Sequence, residues 1–363
     1  MNRKRVLVAP LDWGLGHATR CIPVIRILQE LQCEVFLAGA GPSLKLLKLT
    51  FPSFKAFELP GYNPVYPSSG SMMFKLLLQG GKFMRTVMEE HRQVEQLVKE
   101  NKIELIISDN RYGCYSPEVT SVFITHQVNL LAPSRWKWLG LLANAVTARF
   151  IKKFTVTWVP DFPGSVLSGK LSATFDRQTC FIGPLSRLEK VETTERKYNI
   201  LALLSGPEPQ RSNFEELVTR QLVASGLRGL IVRGVVDSNK IQVSKNVEVA
   251  DHLTAEELSY EMAQAEIVLS RSGYSTVMDL ARLAKKAIFV PTPGQTEQEY
   301  LAKKFKQEGI AFSMEQKDFL LSDALKQSEN FKGFTEYPFD DSLLKKHLTD
   351  LLSTNDQRPV TID

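Results

Sequence analysis

The stretch KRVLVAPLDWGLGHATRCIPVIRIL, residues 4–28, joins a short apolar run to a segment with helical spacing. The run KRVLVAP is bounded by charge and proline, which is typical of a buried β-strand. Apolar residues then recur at Ile22, Ile25 and Leu28, as on one face of an α-helix. Two glycines and a histidine, GLGH at 14–17, separate the two patterns. This order predicts a strand, a glycine-rich loop and a helix, which is the first step of a doubly wound sheet.

Strand-like and helix-like runs alternate along the chain in two series. The first half contains IELIISDN at 103–110 and VFITHQ at 122–127, and the second series begins with NILALLSG at 199–206. Alternation of this kind is typical of parallel sheets with helices on both faces. We therefore predict an α/β protein with two doubly wound, Rossmann-like domains.

Glycine and proline in FIGPLSR, residues 181–187, mark the junction between the two series. The predicted domains are residues 1–183 and residues 184–336. A tail of residues 337–363 follows, and it contains the helix-like run SLLKKHLTDLL. We expect this tail to cross back to the first domain, with a local cap on the second domain as the alternative.

Composition and charge are those of an ordinary globular protein. The 363 residues are 43% hydrophobic and 23% charged, with a formal net charge of +5. This small positive charge suits an anionic small ligand or a membrane surface, but it is too low to indicate a nucleic-acid partner. The four cysteines lack metal-ligand spacing and are predicted to be free thiols. Because the sequence shows neither a signal pattern nor a membrane-spanning run, we expect a cytoplasmic protein.

Ligands of doubly wound sheets bind outside the carboxyl ends of the strands, so the loop that holds His17 is a candidate site. The positive end of the following helix disfavours an imidazolium, which leaves a neutral histidine that can act as a general base. Asp109 ends the strand of IELIISD and is predicted to orient His17, as the carboxylate does in a catalytic triad. Helix capping by His17 and a turn or cap role for Asp109 are the alternatives.

The most informative run of the second half is SRSGYSTVMDLARLAKKAIFVPTPGQTEQEYLAKK, residues 270–304. A strand is followed by a helix that begins near Tyr274, so the backbone N–H groups of its first turn would bind an anion. Asp279 can accept hydrogen bonds from ribose hydroxyls. Gln298 and Glu299 can bind sugar hydroxyls through their amide and carboxylate groups. Capping or surface solvation would explain any one of these residues alone, but the ordered set points to a sugar-nucleotide site.

This run resembles the donor-binding segment of GT-B glycosyltransferases of family 28. That family includes the lipid-linked N-acetylglucosaminyltransferase of peptidoglycan synthesis and the monogalactosyldiacylglycerol synthases. Its pattern is Ser-Gly-x-x-Thr, then an acidic residue, then Val-Pro and a glutamine-rich helix start. The matching positions here are 272–276, Asp279, 290–291 and 298–299.

Two loops of the first half extend the resemblance. GLGH at 14–17, followed by Pro23, is similar to the family's amino-terminal glycine-rich loop, and THQVN at 125–129 is similar to its His-Glu-Gln-Asn motif. The resemblance implies the GT-B architecture, in which two Rossmann-like domains face each other across a cleft. It also implies an acceptor-binding amino-terminal domain and a carboxyl-terminal domain that binds the nucleotide-sugar.

The resemblance and the residue patterns together define a predicted site. The resemblance implies that His17 activates the acceptor hydroxyl, that the donor diphosphate lies on the helix after Gly273, and that the base is bound near residues 250–253. Arg187 is expected to add a charge-assisted phosphate contact. The predicted catalytic residues are His17 and Asp109, and those on the acceptor side are Gly14, Gly16 and His126. The predicted donor-binding residues are Arg187, Ser205, Gly206, His252, Arg271, Ser272, Gly273, Tyr274, Ser275, Thr276, Asp279, Gln298 and Glu299.

Three positions depart from the family pattern. Asp279 stands where the family usually has glutamate, and Glu299 replaces the second of two sugar-contacting glutamines, which leaves the identity of the sugar open. The first glycine-rich loop of the second domain is SGPEP at 205–209. Its two prolines lack N–H donors and Glu208 would repel phosphate, so we predict fewer phosphate contacts in this loop.

Patterns that the sequence lacks bear on the expected mechanism. Near the helix that begins at Tyr274 we find no Glu-x7-Glu pattern like that of the retaining relatives, which favours inversion, and we find no Asp-x-Asp motif in a strand-end loop. We therefore expect an inverting, metal-independent transferase without a cofactor. Its donor would be a UDP-sugar and its acceptor a hydroxyl, carried by a lipid in the family members named above. Two alternatives remain open: a nucleotide-sugar epimerase or hydrolase of the same architecture, and a non-catalytic sugar-nucleotide binding protein.

One stretch predicts contact with a membrane surface. SRWKWLGLLANAVTARFIKKF, residues 134–154, mixes tryptophans and leucines with flanking basic residues, as interfacial helices do. The apolar residues of 72–84 would extend the same surface. We expect peripheral association with the inner face of the cell membrane, and two amphipathic helices that pack on the sheet are the alternative.

Overall fold

The computed structural model shows two compact units, each built on a seven-stranded sheet. It describes residues 3–62, 80–131, 137–173, 179–235, 240–334, 337 and 339–353. The first unit contains the described residues up to Leu185 and those from Phe339 onward, and the second begins at Ser186. The division between the units therefore falls inside the Gly-Pro segment at 181–187.

The first unit is a parallel sheet with the strand order β3-β2-β1-β4-β5-β6-β7. Its strands are β1 (Arg5–Pro10), β2 (Glu34–Gly39), β3 (Ala56–Glu58), β4 (Leu105–Asp109), β5 (Thr120–Ile124), β6 (Val156–Val159) and β7 (Thr179–Phe181). Its helices are α1 (Leu15–Glu30), α2 (Gly41–Thr50), α3 (Gly80–Asn101), α4 (Lys137–Ile151) and, from the tail, α10 (Ser342–Ser353). The central strands β1, β4 and β5 are buried along nearly their whole length, as parallel strands covered on both faces are.

The strand register brings three loops of this sheet to one edge. Pro10 of β1 pairs with Asp109 of β4, and Asp109 pairs with Ile124 of β5. The residues that follow these strand ends include His17 and His126. The helix α1 begins at Leu15, earlier than the sequence pattern predicted, because Gly14 turns the chain at a φ of 91° directly after the strand-end loop.

The second unit has the strand order β10-β11-β9-β8-β12-β13-β14. Its strands are β8 (Tyr198–Leu203), β9 (Gly229–Val232), β10 (Lys240–Ser244), β11 (Val247–Ala250), β12 (Ala265–Ser270), β13 (Ala287–Phe289) and β14 (Phe312–Ser313). Its helices are α5 (Gln210–Ser225), α6 (Ala255–Ala263), α7 (Tyr274–Arg282), α8 (Thr296–Gln307) and α9 (Leu321–Ser328). The prediction of two doubly wound α/β sheets is confirmed, with one addition: β10 is an antiparallel edge strand that forms a hairpin with β11.

The tail helix α10 packs on the first unit. Leu344 and Leu348 are buried, Lys345 Nζ lies 2.9 Å from Glu30 Oε2 at the end of α1, and the His347 ring is 6.2 Å from the Trp158 ring. The first unit is thus assembled from two separate parts of the chain. None of the helices within the described ranges is long and apolar enough to cross a lipid bilayer.

Candidate active site

His17 and Asp109 meet at the carboxyl edge of the first sheet. His17 is the third residue of α1, and its Nδ1 lies 2.9 Å from Asp109 Oδ1. Burial lowers the pKa of His17, the positive charge of Arg20 lowers it further, and the Asp109 carboxylate opposes both effects in part. The ring is therefore a neutral imidazole at neutral pH. In the tautomer whose ring proton lies on Nδ1, facing Asp109, Nε2 is the nitrogen that can take a proton from a substrate.

Asp109 remains ionised in spite of complete burial. Burial alone would raise the pKa of its carboxyl group, but the positive charge of Arg20 and the contact with His17 lower the pKa to about 2. The carboxylate therefore carries its negative charge at any pH at which the protein would work. Such a carboxylate can hold the imidazole in one orientation and stabilise it once it has accepted a proton.

Arg20 completes this cluster, and the sequence patterns did not reveal it. Its guanidinium binds both oxygens of Asp109 through Nε and Nη2, and its Nη1 lies 3.0 Å from His126 Nδ1. The side chain is almost wholly buried. The spacing could have identified Arg20, because a residue three positions after His17 in a helix projects from the same face.

The other residues predicted for the acceptor side lie in the same region. Gly14 precedes α1 and needs its positive φ, and Gly16 is the second residue of that helix. His126 follows β5 and is buried beside Arg20. The structure therefore brings the predicted catalytic and acceptor-side residues of the first unit together.

A second buried ionic cluster supports the loop that precedes His17. The guanidinium of Arg111 is wholly buried, its Nε binds Glu90 Oε1, and its Nη1 lies 3.5 Å from Asp12 Oδ1. Glu90 Oε2 also accepts hydrogen bonds from the Tyr62 hydroxyl at 2.6 Å and from the Gly113 N–H at 2.8 Å. Because α3 supplies Glu90, this cluster ties the helix to the loops after β1 and β4.

The predicted diphosphate site of the second unit is the start of α7. Within the described ranges no side-chain hydrogen bond caps this helix, and Gly273 stands at its N-cap in extended conformation. Tyr274 and Thr276 are buried, Ser275 is half-buried, and the Ser272 hydroxyl donates to the Gln298 carbonyl oxygen at 2.7 Å. These side chains hold the helix in place, so the backbone N–H groups of its first turn are the groups suited to a phosphate.

Gln298 joins this helix start to the loop after β13. Its Oε1 accepts the Thr292 N–H at 2.8 Å, which turns its Nε2 toward Gly273. Glu299 Oε1 accepts the Gly294 N–H at 2.8 Å, where the chain has a φ of 78°. Both predicted sugar-binding residues therefore shape the 292–294 loop, and Gln298 also presents N–H donors toward the start of α7.

Asp279 lies on the side of α7 that faces Ser186, at the start of the second unit. Its Oδ1 accepts a hydrogen bond of 2.6 Å from the Ser186 hydroxyl. Burial raises the pKa of Asp279 to about 6, while the bond from Ser186 and the charge of Arg187 act in the opposite direction. Ser186 was not among the predicted residues, since a single serine after Gly-Pro reads as part of a turn. Arg187 also lowers the pKa of His252, although burial is the larger cause.

Arg271 is buried among the loops of the second unit. Its guanidinium donates to the carbonyl oxygens of Val290, Pro291 and Gln210 and to Gln316 Oε1, and it stacks 4.0 Å from the centre of the Phe214 ring. Burial lowers its pKa to about 10, so it remains charged. Its observed partners are protein oxygens, so its contact with the donor stays a prediction.

The loop at 205–209 differs from an open phosphate loop. The Glu208 carboxylate accepts the Ser212 N–H at 3.2 Å and pairs with Arg211, so a protein anion already occupies the start of α5. Arg211 and Arg233 both bind Glu215, and Arg233 Nη1 lies 2.7 Å from Asp251 Oδ1. A row of alternating charges therefore runs along this sheet edge beside Ser205 and Gly206.

The described residues contain no cluster of three or more histidine, cysteine or acidic side chains arranged to hold a metal ion.

Comparisons with known proteins agree with this architecture. Residues 231–340 match the glycosyltransferase family 28 C-terminal domain. Over 338 residues the chain is 24% identical to the UDP-N-acetylglucosamine--N-acetylmuramyl-(pentapeptide) pyrophosphoryl-undecaprenol N-acetylglucosamine transferase of Haemophilus ducreyi, covering 90% of this chain and 88% of that protein. The transferase of the same name from Clostridium tetani is 23% identical, covering 84% of this chain and 83% of the relative.

Solved structures share the fold at low sequence identity. MurG of Acinetobacter baumannii superposes with a TM-score of 0.55 at 12% identity, covering 98% of this chain and 96% of that one. The spinosyn rhamnosyltransferase SpnG gives a TM-score of 0.65 at 13% identity, covering 96% of each chain. With the family 28 domain and the relatives that match most of its length, this chain is a glycosyltransferase of the GT-B, family 28-like type.

Proposed function

We propose that the protein is an inverting, metal-independent glycosyltransferase that uses a UDP-sugar as donor and a lipid-linked hydroxyl as acceptor. The observation that carries the proposal is the contact between His17 and Asp109 at the end of β1 and β4. It supplies a neutral imidazole with an ionised partner, which is what removal of a hydroxyl proton requires. The donor and acceptor classes are those of the relatives, whose names describe transfer of N-acetylglucosamine from UDP to a pyrophosphoryl-undecaprenol compound.

The proposed reaction is a single displacement. His17 Nε2 takes the proton of the acceptor hydroxyl while the acceptor oxygen forms a bond to the anomeric carbon of the sugar. The bond from that carbon to the diphosphate breaks on the opposite side, which inverts the anomeric configuration. The leaving UDP carries the electron pair of the broken bond, and the N–H groups at the start of α7 stabilise its charge. Asp109 stabilises the imidazolium until the proton is released.

The donor site is tested by calorimetric titration with UDP, dTDP and GDP. We expect UDP to bind best, and Asp279→Ala to weaken UDP binding by roughly 1 to 3 kcal/mol through the loss of ribose hydrogen bonds. Asp323→Ala is the matched control, because Asp323 is an exposed aspartate of α9 in the same unit. If no nucleotide binds, or if both variants weaken binding equally, the proposed donor site is wrong.

The reaction is tested with UDP-sugars and polyprenyl-diphosphate sugars as acceptors. We expect transfer to give a product of opposite anomeric configuration, as read by the coupling constant of the anomeric proton, at the same rate with and without a chelator. Consumption of the donor without any acceptor would instead support the epimerase or hydrolase. Donor binding without turnover under all conditions would support a non-catalytic binding protein.

We also propose that α4 contacts the inner face of the cell membrane. Its outer side carries exposed apolar side chains at Trp138, Leu141, Leu142 and Val146, spaced as one face of a helix. Arg149 is exposed on the same helix, and Lys152 and Lys153 follow its end. This combination of apolar and basic groups is typical of an interfacial helix. Residues 134–136 of the predicted stretch, and 72–79 of the second one, lie outside the described residues.

Sedimentation with vesicles tests the membrane contact. We expect the protein to bind vesicles that contain anionic lipid at low salt, and Leu141→Glu to reduce binding by at least tenfold, since it removes about 1.5–3 kcal/mol of apolar burial. Leu49→Glu is the control, because Leu49 is similarly exposed, at 63% against 71% for Leu141, but belongs to α2. Equal binding by the wild type and Leu141→Glu would contradict the proposal.

A further inference from the structure

Arg20 is a buried charged side chain that joins several polar residues of the first unit. It is 2% exposed, and its guanidinium contacts three other polar side chains that come from different strand ends. Nε and Nη2 bind the two oxygens of Asp109, Nη2 lies 3.0 Å from His17 Nδ1, and Nη1 lies 3.0 Å from His126 Nδ1. The sequence resemblance assigned no role to this residue.

The chemistry of arginine restricts the protonation of His126. A guanidinium has only N–H donors and stays charged at any pH at which the protein is folded. The contact between Nη1 and His126 Nδ1 is therefore a hydrogen bond in which the ring nitrogen accepts. The ring proton of His126 then lies on Nε2. The tautomer of His126 is thus assigned from the chemistry of arginine alone.

The contact with Asp109 restricts His17 in the opposite sense. Arg20 donates two parallel hydrogen bonds to the Asp109 carboxylate, and they fix the plane of that group. In that plane Oδ1 stands 2.9 Å from His17 Nδ1. A ring lone pair at that distance would repel an anionic oxygen, whereas a ring proton there is attracted to it. Arg20 Nη2 also lies 3.0 Å from His17 Nδ1, but the same Nη2 donates to Asp109 Oδ1, which as an anion is the stronger acceptor. The ring proton of His17 is therefore assigned to Nδ1, directed at Asp109, and Nε2 remains the basic nitrogen.

We propose that Arg20 is a positioning residue for glycosyl transfer, which holds Asp109 against Nδ1 of His17 and keeps the ring proton of His126 on Nε2. The inference rests on the proposed role of His17 as the base. The ionisable groups that face His17 are Asp109 from β4, Arg20 from its own helix and His126 from the end of β5. The Cys21 thiol lies 3.8 Å from Asp109 Oδ2.

These contacts predict how removal of Arg20 changes the acid side of the pH profile. Arg20 repels a proton on His17 and Asp109 attracts one, so loss of Arg20 raises the pKa of His17. The base is active when it is unprotonated, and a higher pKa therefore lowers activity in acid. We expect Arg20→Met to move the acid limb of kcat/KM upward by roughly one pH unit, within the usual effect of a neighbouring charge. At a pH well below that of the wild-type limb, activity should thus fall about tenfold more than at pH 8.

Arg20→Lys separates charge from shape. A lysine keeps the positive charge near Asp109, but its single ammonium lacks the planar fork that reaches both the carboxylate and His126. We expect this variant to retain most of the wild-type acid limb and to lose the fixed tautomer of His126. Arg26→Met is the matched control, since Arg26 is an exposed arginine of the same helix, and it should behave as wild type in both respects.

Nitrogen NMR of the histidine rings in the full chain tests the assignment without any turnover. The chain has five histidines, so single substitutions can assign every ring signal. We expect wild-type His126 to carry its proton on Nε2 and His17 on Nδ1, and both Arg20 variants to show a mixture of tautomers for His126. A proton on Nδ1 of His126 in the wild type would overturn the inference, even if Arg20→Met did not fold.

The two readouts distinguish failure of this inference from failure of the proposed function. An equal loss of kcat/KM at every pH in Arg20→Met, with unchanged ring signals, would mean that Arg20 serves only the fold. If the ring signals respond as expected while the wild-type rate shows no limb that follows the titration of His17, Arg20 positions these rings but His17 is not the base.

Discussion

Replacing Asp109 by asparagine should destabilise the first unit by an amount that its contacts define. The pKa of Asp109 is about 2 instead of 3.8, and at about 1.36 kcal/mol for each pH unit this difference contributes about 2 kcal/mol of stability at neutral pH. Because the folded-state pKa is lowered, this contribution is complete above the unfolded-state value and is lost as the pH falls toward 2. The substitution also leaves the buried Arg20 without its counter-charge, which raises the expected cost to about 3–5 kcal/mol.

A double substitution distinguishes the charge pair from general damage to the fold. Arg20→Met with Asp109→Asn removes both charges and leaves neither one buried alone, and such replacements are often close to neutral for stability. We therefore expect the double variant to be more stable than Asp109→Asn by about 2 kcal/mol or more. Urea unfolding at pH 7.5, followed by tryptophan fluorescence and circular dichroism, measures both free energies of unfolding.

Two results would refute this reasoning. Asp109→Asn within about 0.5 kcal/mol of the wild type would mean that the carboxylate does not balance the buried guanidinium, since surface changes without such a partner have effects of that size. A double variant no more stable than the single one would mean that the cost comes from packing and not from an uncompensated charge.

Three further predictions concern activity and donor binding. His17→Ala should lower kcat by about a hundredfold or more and leave UDP affinity unchanged, because the base acts on the acceptor and the predicted donor residues belong to the second unit. Initial rates and calorimetry measure the two quantities. A parallel loss of UDP binding would contradict this assignment. Burial and Arg20 lower the pKa of His17 below 6.5, so the acid limb of the kcat/KM profile should lie below pH 6.5 with a plateau above it, and a limb centred above pH 7 would exclude His17 as the base. Glu208→Gln should remove the carboxylate that occupies the start of α5 and raise UDP affinity about two- to fivefold at low salt, within the 0.3–1 kcal/mol of a helix-terminus charge; Glu216→Gln, at an exposed position of the same helix, should not, and equal effects of the two substitutions would count against a local cause.

The sequence predicted the class of the fold well because periodicity survives in each segment by itself. Short apolar runs alternate with helical spacing from residue 4 onward, and the strands appear where those runs lie. Periodicity does not predict the order of the strands, because that order depends on pairing between segments that are distant in the sequence. Nothing local indicates that Pro10 pairs with Asp109, or that the edge strand β10 runs antiparallel. The first feature is set by the register of β1 against β4, and the second by the hairpin that joins β10 to β11.

The residues of the candidate site likewise differ in whether neighbouring residues or distant contacts identify them. His17 was recognisable because Gly14 and Gly16 mark a strand-to-helix turn. Arg20 was not, because an arginine among apolar helical residues reads as a surface residue unless its partner is known. That partner is Asp109, which lies far along the chain, and only the sheet brings the two together. Glu208 was predicted to repel phosphate, and its bond to Ser212 N–H shows a helix cap that the sequence did not indicate.

The return of α10 to the first unit sets an order of events during synthesis. Residues 186–338 leave the ribosome before the helix that contains Leu344 and Leu348, so the part of the second unit that begins at Ser186 is available first. Synthesis of the first unit begins earlier but is completed later, because its last helix is made after all of the second unit. A nascent chain that stops short of Phe339 would therefore display the apolar surface that α10 covers, and chaperones that recognise such surfaces would find it on the amino-terminal part of the chain.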